Sequence, residues 1–307
     1  MQSSDERISR PTEPGGLVLE AWGQGIMVGS LVVMGAIIVA NMKSHVLLHK
    51  LILAELILAI PHGLFIFNKP PVYGWYLSAS AIGLNISWSL HNIIAWMKSR
   101  RFYSYRVSCT YIITVILVQP YWVLEIYANF TYFNNINRIY QTTRPLEPFF
   151  RDPWWIYTTC SLFYTIKRVY NFGILELVKV SPRFGVMLAS MCLSIVFIIV
   201  DTCSVVSAFN DMSLPIGVEP YWKVSHTTLN FLGHYCPLWQ TRNKTHRGDL
   251  STSQLSFIFK CLCNTVILDD FETALNRIRT YRQQEQARMS NWPNRHSGNI
   301  HPHYSVY

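Results

Sequence analysis

Six long apolar runs, each bounded by polar or basic residues, set the organisation of this chain. They extend from Gly25 to Asn41, Leu47 to Phe67, Trp75 to Met97, Val107 to Tyr127, Trp154 to about Val178 and Phe184 to Ala208. A run of about 20 apolar residues is the length of a helix that crosses a bilayer. The fifth run is weakened by Lys167, Arg168 and Glu176; the sixth is the clearest. A seventh is split: "EPYWKVS" (Glu219 to Ser225) begins like a span and "SFIFKCLCNTVILDDF" (Ser256 to Phe271) ends like one. Residues 226–255 between them are polar, basic and without sustained periodicity. They read either as an insertion, such as a retained intron, or as a true loop joining a short re-entrant segment to a final span. Lys-Val-Ser is what an AAG codon followed by a GTGAGT donor site encodes. The pattern thus predicts an all-α polytopic membrane protein of about seven helices. A polar segment (1–24) precedes its membrane domain (25–271), and a basic tail (272–307) follows.

Composition agrees with that pattern. Of 307 residues, 50% are hydrophobic and 14% charged, where a soluble domain carries about a quarter charged residues. The 10 Trp, 17 Tyr and 16 Phe suit interfacial belts or the lining of a cavity. The net charge of +9 lies in connections between spans, where the positive-inside tendency accounts for it. No nucleic-acid recognition motif accompanies it, so no nucleic-acid partner is expected. Cys261 and Cys263 form C-x-C without a matching pair, so buried inert thiols are expected rather than a zinc site. The polar N-terminus lacks the charged and apolar regions of a cleaved signal peptide.

Charge also orients the chain. "KSRRFYSYR" after the third span and "KRVYNFGILELVKVSPR" after the fifth are basic, and Lys43 and Lys50 flank the first connection. The loop after the second span holds only Lys69. The basic connections and the tail with Arg277, Arg279, Arg282 and Arg288 are therefore expected in the cytoplasm, and the N-terminus in the lumen. The endoplasmic reticulum is the expected membrane. Two N-x-T sequons start at Asn129 and Asn243 as candidate glycosylation sites. In the tail, "LDDFETALNRIRTYRQQ" has apolar residues at helical spacing, and Asp269 with Glu272 fits a capping box. The alternative for the adjacent aspartates is a Mg²⁺–diphosphate site, for which a third carboxylate is missing.

Ionisable residues inside the spans are costly and mark candidate chemistry. Glu55 lies in "LILAELILAI", ~12 Å from the cytoplasmic end of its span, and His62 two turns on shares its face, ~22 Å up. Asp201 interrupts "SIVFIIVDTCSVVSAF" at ~25 Å, and Glu125 is close to the lumenal end of the fourth span. The third span adds Asn85, Ser87, His91 and Asn92 among Trp88 and Trp96. Asp201, Glu125 and His62 are expected to face one cavity in the lumenal half, with Glu55 as its floor. The plainer alternative is interhelical glue, worth about 1 kcal/mol per polar side chain.

A buried carboxylic acid tends to hold its proton. In a dry, aromatic site it can protonate an alkene or epoxide, and Trp and Tyr faces then stabilise the cation. A second carboxylate or a histidine would take the final proton. The expected substrate is an apolar prenylated small molecule arriving from the bilayer, with no cofactor and no metal.

The segments "PFFRDPWWIYTT", "KVSPRFGVMLASMCLSIVFIIVD" and "LDDFETAL" resemble a broad group of fungal seven-span membrane proteins. Some of its members act in meroterpenoid pathways as membrane-bound terpene cyclases, including the macrophorin-type drimane-forming cyclase. The resemblance covers most of the chain from the second span onward, apart from residues 226–255. It implies proton-initiated (class II) cyclisation of a prenyl side chain on a polyketide or epoxycyclohexenone, an isomerase or lyase reaction of secondary metabolism without redox change. It transfers no catalytic residue, so Asp201, Glu55, Glu125 and His62 are candidates by depth and burial alone.

Rival readings are a seven-span receptor, a transporter with acidic relay residues and a non-enzymatic scaffold. D-R-Y-like and N-P-x-x-Y-like signals are absent, and no inverted repeat is visible. A retinal protein is disfavoured because Lys260 has no matching counter-ion pattern beside it in the sequence.

Overall fold

The computed structural model describes residues 14–68, 72–168, 170, 173, 177–179, 181–205, 250–266, 268 and 271–290. Among them the fold is all-helical, with no strand. The helices are α1 (Pro14–Asn41), α2 (Leu47–Leu64), α3 (Leu77–Ser99), α4 (Tyr105–Leu117), α5 (Gln119–Phe133), α6 (Ile139–Thr143), α7 (Glu147–Arg151), α8 (Pro153–Arg168), α9 (Pro182–Val205), α10 (Leu250–Val266) and α11 (Phe271–Ser290).

Four segments are long and apolar enough to cross a membrane: Glu20–Asn41, Leu47–Phe67, Tyr105–Phe133 and Pro182–Thr202. Their surfaces explain why the chain belongs in lipid. In α1, Met27, Leu31, Met34 and Ile38 form a buried stripe, yet Val32, Val33, Ile37 and Val39 on the outer face are apolar and exposed. Likewise α9 buries Phe184, Met187, Met191 and Ile198 while Val186, Leu193, Val196 and Ile199 point outward. A helix apolar on every side is stable only when all sides leave water.

The third helix is the hub. It packs on α2 along most of its length and also touches α4, α5, α8 and α11. The most extensive pairing joins α9 to α10, and α1 closes against both α2 and α10. One core gathers Met27, Leu31, Ile52, Leu56, Leu84, Ile94, Phe257 and Cys261 from α1, α2, α3 and α10. Another gathers Trp155, Leu162, Met187, Met191, Cys263, Leu275 and Ile278 from α8 to α11. The α2–α3 contact depends on Gly83: a Cβ there would stand 2.6 Å from the Leu58 carbonyl oxygen. Gly83→Val is therefore expected to cost about 1–3 kcal/mol by overpacking. A thermal melt in detergent reads this, and an unchanged midpoint would show that the helices separate freely.

Several boundaries differ from those expected. The first helix starts at Pro14, so part of the polar N-terminal segment is helical. The span from Tyr105 to Phe133 is interrupted at Val118, because Pro120 in the first turn of α5 has no N–H to donate. Gln119 braces the interruption, donating from Nε2 to the Val115 carbonyl at 2.8 Å and accepting from Ser89 Oγ at 3.1 Å. The fifth span ends early, at Arg168, where Lys167 and Arg168 finish α8. In α10, residues 250–255 of the suspected insertion are continuous with "SFIFKCLCNTV", so the helix forms without the 219–225 flank. Residues 206–249, Asp269 and Asp270 lie outside the described residues, as do the capping box and Asn243.

Candidate functional site

Two buried polar groups meet on α3, one helical turn apart. The upper group is delivered by residues expected to be a lumenal loop. Pro145 and Pro148 fall in the first turn of two short helical elements and Pro153 opens α8, positions where a missing N–H and a fixed φ cost nothing. The resulting chain of turns folds back onto the bundle. Tyr121 anchors it through its hydroxyl, which donates to the Thr143 carbonyl at 2.8 Å, and through its ring, stacked on Phe150 at 4.3 Å. Glu147, Arg151 and Asp152 are thereby buried.

Arg151 is the centre of this group. Its guanidinium donates to Glu147 Oε1 at 2.6 Å, to Asp152 Oδ2 at 2.8 and 3.0 Å, and to Asp201 Oδ2 at 2.5 Å. Lys260 donates to the other Asp152 oxygen at 2.6 Å, and Arg144 pairs with Glu147 Oε2. Three cations (Arg144, Arg151, Lys260) thus meet three carboxylates (Glu147, Asp152, Asp201). Burial pushes the Asp152 carboxyl up, but Arg151 and Lys260 outweigh it and hold it below the ordinary carboxylate range. The guanidinium also lies over the Trp88 ring at 5.3 Å.

Glu125 is a fourth acid in the field of Arg144 and Arg151. Its Oε2 is buried and has no hydrogen-bond partner among the described residues. One turn earlier on α5, Trp122 packs on Trp88 at 5.3 Å, and Trp88 reaches Phe257 of α10 at 6.5 Å.

The lower group is built on Glu55 of α2. Its Oε1 is 2.6 Å from His91 Nδ1 and accepts from Cys261 Sγ at 3.4 Å; its Oε2 accepts from Asn264 Nδ2 at 3.3 Å. Ser87 Oγ donates to the Glu55 backbone carbonyl at 2.7 Å, fixing α2 against α3. The His91 ring lies 4.8 Å from Trp155 and 6.5 Å from Phe257, while Trp155 Nε1 donates to Ser194 Oγ of α9 at 2.6 Å. Lys98 Nζ donates to the Asn264 carbonyl, closing the base of the group. Glu55, His91 and Cys261 place one ligand atom each within 4.8 Å of one another, so they could hold a metal ion. Cys261 and Cys263 are buried, as the C-x-C reading expected, and Cys261 in addition donates to Glu55.

The expected candidates separate in this geometry. Asp201 and Glu125 both meet the Arg151 cluster, as convergence on one site requires. Asp201, however, is the partner of a guanidinium rather than an isolated acid in hydrocarbon. Glu55 belongs to the separate group around His91, Cys261 and Asn264. His62 is apart: its Nδ1 is 3.2 Å from Ser80 Oγ, whose hydrogen goes to the Leu77 carbonyl, and its ring packs on Phe65 at 5.6 Å. That is a packing histidine at the α2–α3 contact. The Asn129 sequon lies within α5, with Thr131 buried and bonded to the Tyr127 and Ala128 carbonyls and to Asn137 Oδ1. A helical sequon with its threonine engaged is not the exposed loop that a glycan acceptor needs.

Arg151, Asp152, Glu147 and Lys260 were not among the sequence candidates, and His91 was singled out in the third span without a role. The signal for Arg151 and Asp152 was their adjacency inside "PFFRDPWW", charges flanked by aromatics and prolines. Lys260 does have a buried counter-ion, Asp152, contributed from 108 residues away. Comparison with known proteins gives no further lead: no protein family, no curated protein and no solved structure matches the chain.

Proposed function

We propose that the chain is a membrane-bound terpene cyclase that starts ring closure by protonating an apolar prenyl chain. The carrying observation is Glu125: a buried acid with an unpartnered oxygen, one turn from a Trp122–Trp88–Phe257 aromatic run. In the neighbouring cluster Glu147, Asp152 and Asp201 share Arg151, with Arg144 and Lys260 beside it, whereas Glu125 makes no ion pair among the described residues. In the mechanism, Glu125 gives its proton to the CH carbon of the terminal alkene; the alkene π bond breaks, a C–H bond forms and the dimethyl-bearing carbon becomes a tertiary cation. Indole and phenyl faces then stabilise the migrating charge. Loss of a proton from the last cation forms the product double bond, so the reaction is an isomerisation. Asp201 holds Arg151 in place rather than donating the proton.

This reading carries seven spans, with α3, α8 and α10 joining the four apolar segments. At 23 residues, α3 is ~34 Å long, enough to cross the hydrocarbon. The shorter α8 and α10 are shielded by neighbours on the sides that bear Trp155 and Lys260. A lumenal N-terminus, a cytoplasmic tail and residence in the endoplasmic reticulum complete it, supported by the basic connections after α3 and α8. The buried chain of charges from Arg151 to Lys260 also suits a proton-coupled transporter, which would move substrate without changing it.

The test is microsomal. Protein expressed in a heterologous host is given a farnesylated aromatic or a farnesylated epoxyquinol. The expected product has unchanged mass and new rings; unaltered substrate across several such compounds, with folded protein in the membrane, contradicts the reading.

A further inference from the structure

His91 has two ring nitrogens in very different situations. Nδ1 lies 2.6 Å from Glu55 Oε1, a distance at which a carboxylate takes the hydrogen of an imidazole N–H. Nε2 is buried and has no hydrogen-bond partner among the described residues. Ring nitrogens in such a pair divide the work: the bond at one fixes the tautomer and leaves a lone pair on the other. Unpartnered buried nitrogens carry a cost, and here the surroundings are the rings of Trp155 and Phe257.

We propose that His91 Nε2 is the base that ends the cation cascade, with Glu55 as the carboxylate that orients it. The assignment rests on the cyclase reading. The C–H bond beside the final cation breaks, its electron pair becomes the alkene, and the proton binds Nε2. Glu55 then balances the imidazolium across Nδ1, the arrangement by which a carboxylate steadies a catalytic histidine. One turn of α3 separates His91 from Trp88, so donor and acceptor stand at opposite ends of one aromatic run. The same atoms offered to a metal are a poorer fit. Asn264 donates from its amide nitrogen to Glu55 Oε2 at 3.3 Å, and Cys261 donates from Sγ to Glu55 Oε1 at 3.4 Å, so both carboxylate oxygens already accept hydrogens.

Two measurements on the full chain in lipid discs test this. Nitrogen NMR of histidine-labelled protein, with His91→Gln for assignment, is expected to show His91 protonated at Nδ1 and bare at Nε2. A hydrogen on Nε2, or a stoichiometric metal ion lost in Cys261→Ala, overturns the proposal. In the product assay, His91→Gln is expected to lower the native alkene about 100-fold. Alkenes deprotonated elsewhere, or alcohols from water capture, take its place. An unaltered product ratio in His91→Gln, or loss of every product from a folded variant, removes the base and leaves the cyclase standing. If the wild type forms no product at all, the cyclase reading fails and this assignment falls with it.

Discussion

Arg151→Met is expected to destabilise the protein by about 3–5 kcal/mol, the largest single effect in the bundle. The substitution keeps volume and apolar reach, yet it leaves Glu147, Asp152 and Asp201 with fewer cations than charges in a buried site. Breaking a buried pair from one side strands the other charge away from water, which costs far more than the pair itself contributes. A second change separates this cause from lost packing. Adding Asp201→Asn removes one stranded carboxylate, so the double variant is expected to recover about 0.5–3 kcal/mol over simple additivity. Thermal unfolding of the four proteins in detergent measures the cycle. Strict additivity would mean that the 2.5 Å contact between Arg151 and Asp201 does not couple them.

Glu125→Gln is expected to slow product formation by about 100- to 10,000-fold, the range for losing a positioned acid, with no loss of folded protein. Gln fills the same space but has no acidic proton for an alkene. Glu125 makes no ion pair among the described residues, so removing its charge strands no cation, in contrast to Asp201→Asn. Activity in Glu125→Gln equal to the wild type would remove Glu125 as donor and return the role to the remaining acids.

The helical, membrane-embedded character of the chain was legible in the sequence, because lipid demands long apolar segments regardless of what packs beside them. Leu47–Phe67 is the same segment in the hydropathy pattern and in the structure. The structure puts Glu55 against His91, one turn of α3 from Trp88, over which the cluster that Asp201 joins is laid. Partners were not legible. Hydropathy treats residues 128–153 as a connection, and only folding shows that two short proline-bearing turns, Arg144–Leu146 and Glu147–Arg151, carry Arg151 and Asp152 into the bundle. Asp201 therefore reads alone as an uncompensated acid and in the structure as half of an ion pair. His91 and His62 are equally buried histidines in apolar helices. They differ in what lies across the helix interface, a carboxylate for His91 and a serine for His62. Helical periodicity gives the face but not the neighbour.

Proton-initiated cyclisation is tested most directly by the origin of one hydrogen atom. Membranes carrying the protein are equilibrated in deuterium oxide and given a farnesylated aromatic that has alkenes but no epoxide. A carboxylic acid exchanges its proton with solvent, so the initiating step is expected to place a single deuterium on the former CH carbon of the terminal alkene, beside the dimethyl-bearing carbon of the new ring. The product mass then rises by one unit relative to product formed in ordinary water. Cyclised product without that deuterium, or substrate recovered unchanged beside intact protein, would contradict an acid-started cyclase.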